Sequence, residues 1–112
     1  MRQLNFYPYY RDLLVRRVKT TTIRMLMREP FTVGEEVLLT VGWPDKDDFD
    51  QLHTAVIAAT YDRVLSRLSA DDLRGESPDC LTTEAVPFVL GAIYRRVFAP
   101  EDVVTVVKFK HS

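Results

Sequence analysis

The sequence has few of the residues that mark disulfide-rich, membrane or nucleotide-binding proteins. Its one cysteine, Cys80, cannot form an internal disulfide, so we expect a reducing, cytoplasmic location. No apolar run approaches the roughly 20 residues that a membrane-spanning helix needs, and Met1 to Asn5 lacks the apolar stretch of a signal peptide. Glycine-rich phosphate-binding loops are also missing, which excludes the usual motifs of nucleoside triphosphate and NAD chemistry.

Metal ligands are scarce as well. His53 and His111 are the two histidines of the chain, and neither stands at ligand spacing from another histidine or from Cys80. Cys80 follows an aspartate, which would raise its pKa, and it has no neighbouring histidine. We therefore expect no metal and no cofactor, and we interpret Cys80 as structural.

The length and composition predict one globular domain over residues 1–112. A chain of 112 residues with 46% hydrophobic and 28% charged residues is long enough for one core and too short for two. No internal repeat or low-complexity linker divides it. This composition excludes disordered, collagen-like and coiled-coil proteins.

The net charge of −1 hides an asymmetry along the chain. Residues 1–28 carry seven arginines and lysines against Asp12 alone, whereas residues 29–50 carry seven acidic residues against Lys46 alone. One interpretation is a basic face that the net charge conceals, and the other is two adjacent surfaces that neutralise each other. The sequence leaves both open.

Local patterns predict an α+β fold, a small barrel of about five strands flanked by about three helices. Pro8 suits the first turn of a helix that ends near Arg17, and Ser69-x-x-Asp72 fits a capping box of a short helix that ends at Gly75. Thr82 or Thr83 is predicted to cap a longer helix with the buried stripe Val86, Leu90, Ile93 and Val97. The predicted strands are Thr20 to Met25, Val37 to Trp43, Thr54 to Tyr61, and Val103 to Phe109, after a short extended start at Asn5 to Tyr7. The strand from Thr54 to Tyr61 has apolar residues on both faces, which predicts a strand buried inside a barrel or sandwich. Pro44 and the acidic cluster to Asp50 are predicted to form a loop before it. Val33-Gly34-Glu35 is predicted to be a turn that needs the positive φ of glycine.

The segment from Arg16 to Arg24 is the most unusual part of the sequence. Basic residues bracket three threonines where the first helix gives way to a strand. Functional sites often lie at such junctions, although threonines are also common strand residues and basic side chains are commonly solvated.

Four short motifs in a fixed order resemble the ASCH family. They are Lys19-x-x-Thr22-x-Arg24 after a short helix, Val33-Gly34-Glu35 before a strand, Gly75-Glu76 after a short helix, and Val107-Lys108-Phe109 in the last strand. The resemblance implies a PUA-like β-barrel with a cleft on one side and a role on RNA or modified nucleosides. Some small bacterial members hydrolyse the acetyl amide of N(4)-acetylcytidine.

The resemblance also implies site residues. The family's catalytic lysine, threonine and glutamate match Lys19, Thr22 and Glu76, which would act as base, nucleophile and acid/base. The residues expected to bind substrate or RNA, or to supply positive charge, are Arg16, Arg17, Arg24 and Tyr7. The family usually has a glycine where this chain has Arg17, and Lys19 must lie in the turn rather than the strand to share a face with Thr22.

Two other functions are compatible with the sequence. A non-catalytic RNA-binding module would grip phosphates with the basic residues Arg16, Arg17, Lys19, Arg24 and Arg28. A ribonuclease is less favoured because the sequence offers no paired histidines or metal site.

Overall fold

The computed structural model describes residues 1–46 and 48–112, and its centre is a curved, mixed sheet. In this part of the chain the strands are β1 Arg2–Phe6, β2 Thr21–Met25, β3 Glu36–Val41, β4 Asp50–Val64 and β5 Val103–His111. Their order is β1-β3-β4-β5-β2, with β1 parallel to β3 and all other neighbours antiparallel. The register shifts on both sides of β4, as at β-bulges, which bend a strand and favour a half-barrel.

The helices are short and lie at the open side of the half-barrel. Among the described residues they are α1 Arg11–Val15, α2 Ala70–Leu73 and α3 Val86–Tyr94, with 3₁₀ turns at Pro8–Tyr10, Leu65–Arg67 and Pro78–Cys80. The predicted α+β architecture is confirmed. Within the described residues no helix combines the length and the apolar character needed to cross a bilayer.

The turn between α1 and β2 forms without a glycine. Arg17 adopts a left-handed backbone conformation with φ 62°. The N–H groups of Val18 and Lys19 then both donate to the Leu13 carbonyl, at 2.9 and 3.2 Å. Lys19 therefore lies in the turn before β2, as cooperation with Thr22 requires.

The capping box of α2 is present, and it sets the path of the segment that follows. Asp72 accepts a hydrogen bond from the Ser69 backbone N–H at 2.9 Å, and Gly75 ends the helix with φ 88°. A Cβ on Gly75 would collide with the Thr20 hydroxyl, so the two segments touch at a point that only glycine fits. Gly75 also accepts from the N–H groups of Thr20 and Thr21, which fixes Glu76 beside the start of β2.

Two hydrophobic clusters fill the half-barrel. One gathers side chains of β1, β3 and β4, including Phe6, Leu39 and Ile57, and the other joins Ile23 to α2 and α3 through Leu73 and Leu90. Both faces of β2 are largely buried, because Thr21, Thr22 and Ile23 are all enclosed.

Several predicted details are wrong. Val97 is 91% exposed because α3 ends at Tyr94, where Arg95 turns left-handed with φ 54°, and Phe98 takes the buried place. The helix starts after Ala85 rather than at Thr82 or Thr83, although Thr82 does accept from the Ala85 N–H.

The strand predictions also needed correction at β3 and β4. β4 is buried on one face only, with Val56 and Ala58 exposed, because none of the described segments forms a second layer over its outer side. It begins at Asp50, inside the predicted acidic loop, of which Asp47 lies outside the described residues. β3 ends at Val41, so Trp43 follows the strand instead of closing it.

Candidate functional site

A pocket of about 550 Å³ lies at the seam of the half-barrel, between the two edge strands. β1 contributes Asn5 and Phe6, and β2 contributes Thr22, Ile23 and Arg24. α3 and the segments flanking α1 close the remaining sides, largely with aromatic and aliphatic side chains. The seam is bridged by the Arg24 guanidinium, which donates to the Asn5 carbonyl at 2.6 Å.

The free edge of β2 explains how the pocket is built. Alternate residues of a strand send their N–H groups to the same side, and on this edge no further strand accepts them. The N–H of Thr21 donates to the Gly75 carbonyl at 3.0 Å, that of Ile23 to the Glu76 carboxylate at 3.0 Å, and that of Met25 to the Tyr94 hydroxyl at 3.2 Å. Glu76 thus takes the place of a neighbouring strand, which holds its side chain at the pocket wall.

Lys19 and Glu76 form a buried ion pair beside this edge. The Lys19 Nζ donates to Glu76 Oε1 and, at 2.7 Å, to the Ser77 hydroxyl. The Ser77 N–H donates to the same Glu76 oxygen at 2.7 Å. Since the remaining oxygen accepts from Ile23, both oxygens of the carboxylate are hydrogen-bonded and its position is fixed.

Thr22 faces the same pocket from β2. Its hydroxyl oxygen accepts from the Arg24 Nε at 3.0 Å, which leaves its own O–H free to donate. Arg24 is held at its other end by Asn5 and lies over the Phe6 ring, 4.8 Å from the centroid. The structure therefore brings Lys19, Thr22 and Glu76 to one pocket.

Burial dominates the electrostatics of these groups. It lowers the pKa of Lys19 below its ordinary 10.5, and although the Glu76 carboxylate opposes this shift, the Arg24 charge adds to it. Burial also lowers the pKa of Arg24. Cys80 lines the pocket, but burial and the nearby Glu76 raise its thiol pKa to about 12, so it stays protonated at neutral pH.

Two of the predicted binding residues lie outside the pocket. Arg16 is exposed and pairs with Asp12 at 2.8 Å, and Arg17 is exposed and donates to the Ser112 carbonyl at 2.6 Å. Tyr7 and Arg24 do line the pocket, and Tyr7 donates its hydroxyl to the Ile93 carbonyl at 3.1 Å.

Sequence reasoning missed several polar contacts around the site. Ser77 contacts the Lys19 amine from behind the pocket wall, and its position next to Glu76 was the only available signal. Tyr94 packs against the cluster around Ile23, and its hydroxyl also accepts from the Met25 N–H at the β2 edge. Tyr10 lies 5.0 Å below the Lys19 amine and donates to Asp79, a contact that no local pattern encodes.

Comparison with known proteins shows the fold. No protein-family model matches this chain, and no curated protein matches it. It is similar to an ASCH domain of Lactobacillus crispatus JV V101, with a TM-score of 0.65 and 16% identity over 98% of this chain and 79% of that one. It is also similar to a DUF984 protein of Enterococcus faecalis V583, with a TM-score of 0.62 and 17% identity over 89% of this chain and 67% of that one. The chain therefore has the fold of an ASCH domain.

Proposed function

We propose that this chain is an ASCH-family amidohydrolase that removes the acetyl group of N(4)-acetylcytidine or a closely related acylated cytidine. The observation that carries the proposal is the meeting of Lys19, Thr22 and Glu76 in one pocket. The fold similarity and the motif resemblance support the same family.

In the first step the Thr22 hydroxyl attacks the acetyl carbonyl. The oxygen–carbon bond forms as Lys19 Nζ, in its neutral form, accepts the hydroxyl proton. Lys19 reaches that form by losing a proton to solvent, which burial of the amine favours. The lowered pKa of Lys19 favours this arrangement.

In the second step the amide bond breaks. The bond between the acetyl carbon and N4 opens, the proton held by the Lys19–Glu76 pair passes to N4, and cytidine leaves. Water then attacks the acetyl carbon of the ester on Thr22 as Lys19 accepts a proton from it. The bond between that carbon and the Thr22 oxygen breaks, the proton on Lys19 passes to the Thr22 oxygen, and the acetic acid formed leaves and ionises to acetate.

Arg24 is suited to stabilise the tetrahedral intermediate. Its guanidinium already contacts Thr22 through Nε and the Asn5 carbonyl through a terminal nitrogen. These contacts fix the guanidinium, and its remaining N–H groups can donate to the oxygen that becomes negative when Thr22 attacks. Because they are set before the reaction, little reorganisation is needed.

The pocket also suits the size and shape of a nucleoside. Its volume of about 550 Å³ lies within the usual range of small-molecule sites, roughly 300–1,000 Å³. The rings of Phe6, Tyr10 and Tyr94 are among its walls, and aromatic faces are suited to stack a nucleobase.

The direct test is to incubate the purified protein with N(4)-acetylcytidine. We expect cytidine and acetate to appear in equal amounts, measured by liquid chromatography, and Thr22→Ala to abolish their formation. Val97→Ala, a change at an exposed residue outside the pocket, is the matched control and should leave the rate unchanged. Absence of turnover in the unaltered protein would reject the proposal.

The RNA-binding alternative has less support in the geometry. Lys19 and Arg24 are committed to contacts inside the pocket, so they are not available to grip phosphates on an open surface. The exposed Arg16, Arg17 and Arg28 remain for that role. Tight binding of unmodified RNA that weakens steeply with salt, without turnover of N(4)-acetylcytidine, would favour this alternative.

A further inference from the structure

A second, more open pocket lies against the first and has no role in the chemistry above. Its volume is about 350 Å³. Four residues, Tyr7, Tyr10, Val89 and Ile93, line both pockets and therefore form a common wall. Whatever occupies the second pocket is thus next to the ligand in the first.

The second pocket presents large aromatic surfaces to solvent. Tyr9 is 73% exposed and Phe88 is 79% exposed, and both line it. Tyr9 is kept upright by edge-to-face contacts with Tyr10 and Trp43, with ring centroids 6.3 and 5.3 Å apart. Rings that are held in place yet exposed offer a preformed stacking surface.

The charges around the second pocket limit what it can bind. No lysine or arginine is among the described residues that line it, so nothing there favours a phosphate. Its one charged residue is Asp79, which accepts the Tyr10 hydroxyl at 3.2 Å and has further lone pairs for N–H donors. The chemistry that fits is a flat, uncharged ring that carries N–H groups, which describes a nucleobase.

We infer that the second pocket stacks the base next to the modified cytidine, so that the substrate is an acylated cytidine within a short single-stranded oligoribonucleotide. This inference rests on the proposed function for the occupant of the first pocket. The wall common to the two pockets separates the two bases, and the sugar–phosphate link between them runs along the open side. Tyr9 and Phe88 then make the protein prefer the acylated cytidine of an oligoribonucleotide over the free nucleoside.

Trp43, the single tryptophan of the chain, allows binding to be measured at this place. Its ring lies 5.1 Å from that of Tyr7 and 5.3 Å from that of Tyr9, so its fluorescence should respond to a base that stacks there. Thr22→Ala protein, which lacks the nucleophile, is titrated with N(4)-acetylcytidine and with the two dinucleotides that carry adenosine on either side of it. Unaltered protein titrated with the corresponding unacetylated compounds gives the same comparison if the variant does not fold.

At least one dinucleotide should bind about tenfold more tightly than the nucleoside, as expected for one stacked base. The gain should vanish when the adenine is replaced by an abasic sugar, and it should shrink in Tyr9→Ala and Phe88→Ala proteins but not in Val97→Ala protein. Equal binding of the nucleoside and both dinucleotides, or a gain that survives the abasic replacement, would overturn the inference.

Because this assay reads binding, its failure is distinguishable from failure of the proposed reaction. Turnover of the free nucleoside with no gain from a neighbouring base would leave the amidohydrolase standing and reject the second pocket. A base-dependent gain without any turnover would support stacking in the second pocket and reject the amidohydrolase.

Discussion

Lys19 and Glu76 are 57 residues apart in the chain, yet their side chains form an ion pair that is almost fully enclosed. Burying two opposite charges costs free energy that their attraction often fails to return. Here the cost is reduced because the Ser77 hydroxyl accepts a second hydrogen bond from the Lys19 amine and the Ile23 N–H donates to the second Glu76 oxygen. A pair of this kind, placed at the wall of a pocket, is well suited to hold and move one proton.

The proposed role of Thr22 as nucleophile predicts a large effect of Thr22→Ala. We expect kcat/KM for N(4)-acetylcytidine to fall at least about a thousandfold, since removal of a nucleophile abolishes the covalent route. Thr22→Ser, which keeps the hydroxyl, should retain measurable activity. Steady-state kinetics measure both, and similar rates in the alanine and serine variants would contradict the assignment.

The Lys19–Glu76 pair predicts an asymmetry in stability. Lys19→Met leaves a buried carboxylate without its partner and should lower the free energy of unfolding by roughly 3–5 kcal/mol, measured in urea. Adding Glu76→Gln to that variant should recover part of the loss because no buried charge is left. Arg74→Ala breaks the exposed pair with Asp71 and should cost at most about 1 kcal/mol. A loss from Lys19→Met as small as that control would show that the pair is not buried in solution.

The lowered pKa of Lys19 predicts how the rate depends on pH. Only the neutral amine accepts the Thr22 proton, so kcat/KM should rise with pH and level off before the ordinary lysine pKa of 10.5 is reached. Removal of the Arg24 charge in Arg24→Gln should move this rise to higher pH, because that charge helps to lower the pKa. A rate that is flat across the range would exclude Lys19 as the base.

The contact between His53 and His111 predicts a loss of stability in mild acid. Their ring nitrogens are 2.8 Å apart, and burial, with the Arg17 and His111 charges, lowers the pKa of His53 below 6.5. The unfolded chain then binds more protons than the folded one, so stability is lost as pH falls through 6.5 toward the lowered pKa. Thermal unfolding between pH 7.5 and 5.5 should show a shallower decline in His53→Gln than in the unaltered protein. Parallel declines would contradict the shift.

The left-handed Arg17 predicts that glycine stabilises the protein at this position. Arg17→Gly removes the steric cost of a β-carbon at φ 62°, roughly 1–2 kcal/mol, and should raise the melting temperature. Arg17→Ala keeps the β-carbon and removes the contact with Ser112, so it should give no gain. Arg95→Gly, at φ 54°, is an independent test of the same effect at the end of α3. A lower melting temperature in both glycine variants would show that these arginines carry more stabilisation than strain.

Local features of the chain could be predicted because their causes lie within a few residues. Three features depend only on such neighbouring residues. They are the capping box of Ser69 and Asp72, the positive φ of Gly34 and Gly75, and the start of the first helix at Pro8. The end of α3 could not be read in the same way. Val97 continues the apolar spacing of the helix, but the chain turns at Arg95, a residue type that seldom adopts a left-handed conformation.

Composition and local patterns were sufficient to predict the α+β fold class, most of the strands and turns, and three candidate residues whose chemical types suit an acyl transfer. Contacts between distant segments bring these residues together, add Ser77 to them, and leave Arg16 and Arg17 outside the pocket. These contacts depend on the order of the sheet. β2 lies at an edge, and its unpaired N–H groups are satisfied by Gly75 and Glu76 from a distant segment, a pairing that no periodicity within either segment specifies.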